Sequence, residues 1–202
     1  MNFAELLFLA LIAWTGIGVL GILISLARGE RSKVRHGAAW ICGIWATYVI
    51  VLVSVSLAQR QRVVALGQEQ CFDDLCFAVA KTEIMPPFFG QNQADDGSRL
   101  IRITVIGRNK GRGKTQSEEL LRAYLVDSQG RRWNEVPGLS GNRLTTRIAA
   151  GSRIFIEPVF KVPGDAHGLG LIFTHGRRQP GVMIIGDSDS WWHKRTIVWL
   201  GL

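Results

Sequence analysis

Hydrophobic and polar positions follow two different patterns along this chain, with the change near residue 58. Leu6 to Ala27 and Gly37 to Ala58 each run for 22 residues without a charged side chain. At the α-helical rise such a run makes a helix of about 33 Å, enough to cross the hydrocarbon core of a bilayer. The pattern therefore predicts a transmembrane hairpin over residues 1–58, with helices at about 6–27 and 37–58 and a loop at 28–36. A cleaved signal peptide is the rival for the first run. It wants a basic n-region and a short apolar stretch, whereas Met1-Asn2-Phe3-Ala4-Glu5 carries an acid and no Lys or Arg.

Residues 59–70 are polar and partly basic and read as a linker. From Cys71 to Leu202 the apolar residues alternate in short runs separated by Gly, Pro, Asn and Asp. CFAVAKTEI, RLIRITVIGRN, LLRAYLVD, RRWNEV, SRIFIEPVFKV, GLGLIFTH, GVMIIGD and RTIVWL each read as a strand. Ser128-Gln129-Gly130 signals a hairpin, Pro86-Pro87 ends a strand, and Pro158 places its strand at an edge or a bulge. Short strands with no clear amphipathic helix predict an all-β antiparallel sandwich.

The outer region resembles a known group on specific residues. A strand ends in the turn Asn109-Lys110-Gly111. A hairpin follows with Asp127, Gly130 and Trp133, and a strand opened by Gly151 ends at Val162-Pro163. This arrangement is similar to the telokin-like, immunoglobulin-like domain of uncharacterised bacterial envelope proteins. The resemblance covers about Leu100 to Phe173 and implies an immunoglobulin-like sandwich. It brings no catalytic residues with it.

Charge gives an orientation. The loop RGERSKVRH holds Arg28, Arg31, Lys33 and Arg35 against Glu30. Basic residues in short loops favour the cytoplasmic side, so both termini are expected outside it, in a bacterial inner membrane. Cys71 and Cys76 then meet an oxidising compartment, where cysteines pair. Asp73-Asp74 between them suits the turn that pairing needs. Free thiols, a redox pair or a metal knuckle are the alternatives. The spacing is not Cys-x-x-Cys, and the metal set lacks further ligands. A small-residue stripe on each helix, Gly18, Gly21 and Ser25 on the first and Ala39, Gly43 and Thr47 on the second, is expected to pack the hairpin or a homo-oligomer.

Little chemistry is visible beyond this. GRNKGRGKTQ mimics a phosphate-binding loop, but position 108 is Arg where that motif needs Gly. His167, His175 and His193 show no ligand spacing, and Asp187 and Asp189 are too few for a calcium loop. No nucleophile elbow occurs. No catalytic, metal or cofactor site is expected, and the chain is not expected to be an enzyme. A remote alternative is an envelope hydrolase or redox enzyme. The chain carries +8 overall, and from Arg60 onward 20 basic against 14 acidic residues. That balance suits anionic headgroups or acidic envelope polymers rather than nucleic acid. Phe88, Phe89, Trp191 and Trp192, with Arg177, Arg178, Lys194 and Arg195, are candidates for contact with the bilayer or a partner. The sequence thus reads as a membrane-anchored, non-catalytic binding or assembly protein, or else as an accessory subunit whose helices make the partner contacts.

Overall fold

The computed structural model describes residues 3–86, 97–139, 141–176, 180–187 and 189–202. The chain forms two compact units. One holds Met1–Gln61 with Arg177–Lys194, the other Arg62–Gly176 with Arg195–Leu202.

The first unit is built on α1 (Phe3–Ala27) and α2 (Arg31–Ala58), both long and apolar enough to cross a membrane. Large side chains fill small ones across the helix pair. Ile41 lies over Gly18 and Ile22 over Gly37, each 3.0 Å from where a Cβ would stand. Trp45 Nε1 donates to Thr15 Oγ1 at 3.0 Å, and that hydroxyl in turn donates to the Leu11 carbonyl at 2.7 Å. Gly18 and Ser25 are half-buried, whereas a Cβ on Gly21 would meet nothing. Ala39, Gly43 and Thr47 are exposed. The contact face of α2 is instead Gly37, Ile41 and Trp45, two positions earlier and about 200° round the helix. Each glycine at the contact faces an isoleucine rather than another small residue, so small-residue spacing alone does not mark the face.

The second unit is a sandwich of two five-stranded sheets. Sheet A has the order β1 (Val63–Val64), β10 (Ile197–Trp199), β9 (Gly170–Thr174), β5 (Arg122–Val126), β6 (Arg132–Asn134). Sheet B runs β2 (Glu69–Phe72), β3 (Leu75–Ile84), β4 (Ser98–Asn109), β7 (Arg153–Ile156), with β8 (Val159–Pro163) also on β4. All pairs are antiparallel except β1 with β10. The strand expected across Pro158 is thus two strands, parted where proline has no N–H to give. The Pro158 carbonyl still accepts from Ile103 N at 3.0 Å.

The core lies between the sheets. Phe77 and Val79 of β3 and Ile101, Ile103 and Val105 of β4 meet Leu125 of β5 and Leu171 and Phe173 of β9. Two sequence expectations change here. Val63-Val64, inside the expected linker, is a strand whose Val64 is buried in this core. GVMIIGD, expected as a strand, begins in a 3-10 turn at Pro180–Met183 and belongs to the helical unit. It meets α2 through the bond from Tyr48 to the Met183 carbonyl and, among the described residues, joins no sheet.

Two local devices fix the hairpins. Asp73 takes φ +52° in the turn between β2 and β3, which sets Cys71 opposite Cys76, and the two are disulfide-bonded. By the chain-entropy account this short loop contributes about 2 kcal/mol. In the β5–β6 turn the buried Asp127 Oδ1 accepts from Gln129 N at 3.0 Å and Arg131 N at 2.8 Å. Its Oδ2 accepts from Arg131 Nε at 2.7 Å, and Arg131 Nη1 continues to Asp165 Oδ2 at 2.8 Å. Burial alone pushes the Asp127 carboxyl up, but the bonds from Arg131 and Gln129 outweigh it and hold it below the ordinary range. The hydrogen bond from Arg131 does the same for Asp165.

In the folded state these carboxyls bind protons less readily than in the unfolded chain. Their stabilisation is therefore complete above the ordinary carboxylate value near ~4 and is lost as pH falls through the folded value. Asp127→Asn should flatten the acid side of the stability profile, measured by thermal unfolding of the full chain in detergent from pH 3 upward. An unchanged acid limb would mean that this turn does not carry it.

Candidate functional site

The outward face of sheet B carries a cluster of charge on Glu69, Arg108, Lys110 and Arg153. The two-residue period of β4 turns Ile101, Ile103 and Val105 inward and leaves Arg108 exposed. Register then places Cys76 beside Arg108 on one strand and Arg153 beside it on the other, so Cys71, Cys76, Arg108 and Arg153 form one row across β2, β3, β4 and β7. Like charges directly opposite on neighbouring strands destabilise a sheet. Lys110 follows at once. Arg108, Asn109, Lys110, Gly151, Ser152 and Arg153 line an open groove of about 660 Å³.

One carboxylate serves two of these cations. Glu69 lies 2.5 Å from Lys110 Nζ and 3.4 Å from Arg108 Nη1. Its carboxyl is held below the ordinary range, first by the hydrogen bond from Lys110 and then by attraction to Lys110 and Arg108, with partial burial opposing. Among the described residues no carboxylate pairs with Arg153. Three cations and one ionised carboxylate leave the groove doubly positive. Its floor is fixed by the fully buried Asn109, whose Nδ2 donates to the Lys114 and Ile148 carbonyls at 3.0 and 2.9 Å. Asn109 Oδ1 accepts from Gly111 N at 2.8 Å. Beyond Lys114 the chain bridges Gln116 to Ile148 and enters β5 without a helix. The glycine-rich loop therefore has no helix N-terminus to aim at a phosphate.

Such a groove can hold an anion through guanidinium groups, which bind carboxylate and phosphate oxygens in pairs. Glu69 and the two cysteine sulfurs lie within 4.8 Å of one another. The sulfurs are bonded to each other, so no thiolate is left to take a metal. His175 Nε2 stands 3.3 Å from Glu118 Oε2 and packs on the edge of Phe72. It joins no cluster of metal-ligating groups among the described residues. Alternation in RLIRITVIGRN and SRIFIEPVFKV points both arginines outward, but only register brings them together. That is why the sequence shows the basic balance and not the groove.

The second candidate is the segment packed on α2. Tyr48, Leu52 and Ser56 form a buried stripe along that helix. Tyr48 Oη donates to the Met183 carbonyl at 2.6 Å, and the Ser56 and Ser190 hydroxyls are 3.1 Å apart. Trp191 N donates to the Val182 carbonyl at 3.0 Å, and the rings of Trp191 and Trp192 stack at 4.9 Å while remaining 42% and 57% exposed. Lys194 is exposed. Arg195 belongs to the sandwich, where its Nη1 donates to Tyr124 Oη at 3.3 Å. Phe88, Phe89, Arg177 and Arg178 lie outside the described residues.

No family model matches the chain, and no curated protein is similar to it. Among solved structures it is similar to an uncharacterised β-sandwich protein of Clostridium difficile, with 11% identity and a TM-score of 0.43 over 70% of this chain and 95% of that one. The secreted protein MPT63 of Mycobacterium tuberculosis shares 13% identity at a TM-score of 0.41, over 56% and 90%. The yjhA protein of Bacillus subtilis shares 16% at 0.41, over 67% and 98%. Likeness this distant carries no function, and the sandwich is assigned here from the chain's own two sheets.

The exposure of the tryptophan pair predicts that replacing both by serine leaves the fold intact. The unfolding midpoint in detergent should move by less than ~2 °C. Leu125→Ala, in the sandwich core, should cost about 2–5 kcal/mol. A double tryptophan variant as unstable as Leu125→Ala would make the pair part of a core.

Proposed function

We propose that this chain is a membrane-anchored, non-catalytic protein of the bacterial envelope, whose sandwich stands outside the cytoplasm and holds an acidic polymer in the Arg108–Arg153 groove. The observation that carries the reading is the arginine pair, set side by side across two strands, with Arg108 sharing Glu69 with Lys110 and Arg153 paired with no carboxylate among the described residues. A polyanion lying along the groove offsets the repulsion between the two guanidinium groups. The two apolar helices supply the anchor. The basic loop between them favours the cytoplasmic side, and the Cys71–Cys76 bridge suits an oxidising compartment. The finer, telokin-like assignment is supported by the Asn109 turn and the Asp127 hairpin.

The binding test uses the full chain in detergent with poly(glycerol phosphate) and polyglutamate as probes. Affinity should fall as salt rises, and Arg108→Glu with Arg153→Glu should lose about ten-fold or more, the scale of a charge-assisted hydrogen bond. Glu69→Gln should bind tighter. Equal affinity for parent and double variant would remove the groove as the site. Orientation is read separately in intact cells. A cysteine at Ser32 should be shielded from an impermeant thiol reagent while one at Lys110 reacts, and the reverse pattern would place the sandwich in the cytoplasm.

A second reading, an accessory subunit that meets its partners through the helices, is favoured by one feature. The exposed Ala39, Gly43 and Thr47 line an open groove of about 390 Å³ with His36, Trp40 and Ile44 on α2. Small residues let another helix approach closely. Gly43→Leu should then abolish co-purification of a partner or of a second copy.

A further inference from the structure

We infer that residues 180–187 form a third membrane-embedded element, a short wedge opening in a 3-10 turn and lying against α2 in the outer half of the bilayer with its tip among acyl chains. The inference rests on the reading of α1 and α2 as spanning helices.

Two attachments set the depth. Ser190 meets Ser56, while Met183 meets Tyr48. Those α2 positions are eight residues apart, about 12 Å along the axis. Leu52, midway between them, has no exposed surface. The segment therefore runs down the helix instead of crossing its end. The contacts of Thr15 with Trp45, Gly18 with Ile41 and Ile22 with Gly37 fix the register of the pair. That register puts Glu5, the outermost charge of α1, opposite about residue 54 of α2. Tyr48 then lies about 9 Å inside the level of Glu5 and about 15 Å inside the end of the apolar run at Ala58. Either boundary leaves Met183 no deeper than the midplane of a hydrocarbon core of about 30 Å.

The backbone is built for such a place. Without water, a polar group in the hydrocarbon needs a partner from the protein. Four consecutive carbonyls have one. Gly181 accepts from Ile184 N at 3.1 Å, Val182 from Trp191 N at 3.0 Å and Ile184 from Asp187 N at 3.3 Å. The carbonyl of Met183 takes the Tyr48 hydroxyl. Side chains agree with backbone. Val182, Met183, Ile184 and Ile185 are apolar and half-buried, with one side on the protein and the other free for lipid. The Asp187 carboxylate lies close over Gly181, so these two form the neck of the loop and the four apolar residues its tip. Trp191 and Trp192 follow Ser190 and brace the loop, Trp191 through its bond to the Val182 carbonyl, and aromatic side chains of this kind gather between hydrocarbon and water.

The test places a nitroxide on Ile185→Cys, Ile17→Cys or Lys110→Cys in the full chain, with the free Cys42 replaced by serine, reconstituted in phospholipid vesicles. Ile17 is 72% exposed on α1 and reports whether the helices are embedded. Collision with oxygen, which concentrates in lipid, is compared with collision with a water-soluble nickel chelate. The oxygen-to-nickel ratio at Ile185 should approach that at Ile17 and exceed that at Lys110 about ten-fold. A lipid-like Ile17 with a water-like Ile185 overturns the wedge and leaves the anchor standing. An Ile185 that meets neither collider is enclosed by protein, which also overturns it. A water-like Ile17 removes the spanning reading, and the wedge with it.

Discussion

The two-residue period of β4 is the constraint on which both faces of the sandwich depend. This strand of 12 residues pairs with β3 along one edge and with β7 and β8 along the other. Its odd-numbered residues from Ile101 to Asn109 are buried and its even-numbered ones turn outward. A slip of one residue would exchange these sets. Ile103 and Val105 would lose the core, and Arg108 would be driven into it. The buried Asn109 opposes such a slip, because its three hydrogen bonds to Gly111, Lys114 and Ile148 can be made in one register only. Core and groove are thus two results of one alignment.

The apolar segments of this chain serve two different surroundings. Runs of alternating residues bury one side between the sheets. The runs in α1 and α2 are apolar all round, and both helices are long and apolar enough to cross a membrane. GVMIIGD has neither pattern and is joined to α2 by its Met183 carbonyl, with the Tyr48 hydroxyl in place of a neighbouring strand.

Much of the architecture is legible in the residues. The helices follow from run length, most strands from alternation, and the Cys71–Cys76 pair from the compartment the charge pattern implies together with the turn residues between its members. What escapes has a common cause. Val63-Val64 is too short to show a period, and its partner lies at residues 197–198. A run such as GVMIIGD, apolar without alternation, fits a buried strand as well as it fits a helix-packed loop. The helix contact needs the shapes of Ile22 and Ile41 as well as the positions of glycines, and the groove needs Arg108 and Arg153 in register. Each depends on a pairing between residues distant in sequence, which local pattern does not contain.

The parallel contact between β1 and β10 has a consequence for the order in which the molecule is assembled. β2, β3 and β4 follow one another along the chain and pair as neighbours, so most of sheet B can form while synthesis continues. Sheet A cannot be completed in this way. Its β1 leaves α2 almost directly, yet must wait for Ile197 and Val198, and β9 lacks its second neighbour until the same residues are made. Contacts of such sequence separation carry a high loop-closure cost and form late. Val64 is therefore exposed through most of synthesis, and the sandwich closes through the strand that carries residues 197–199.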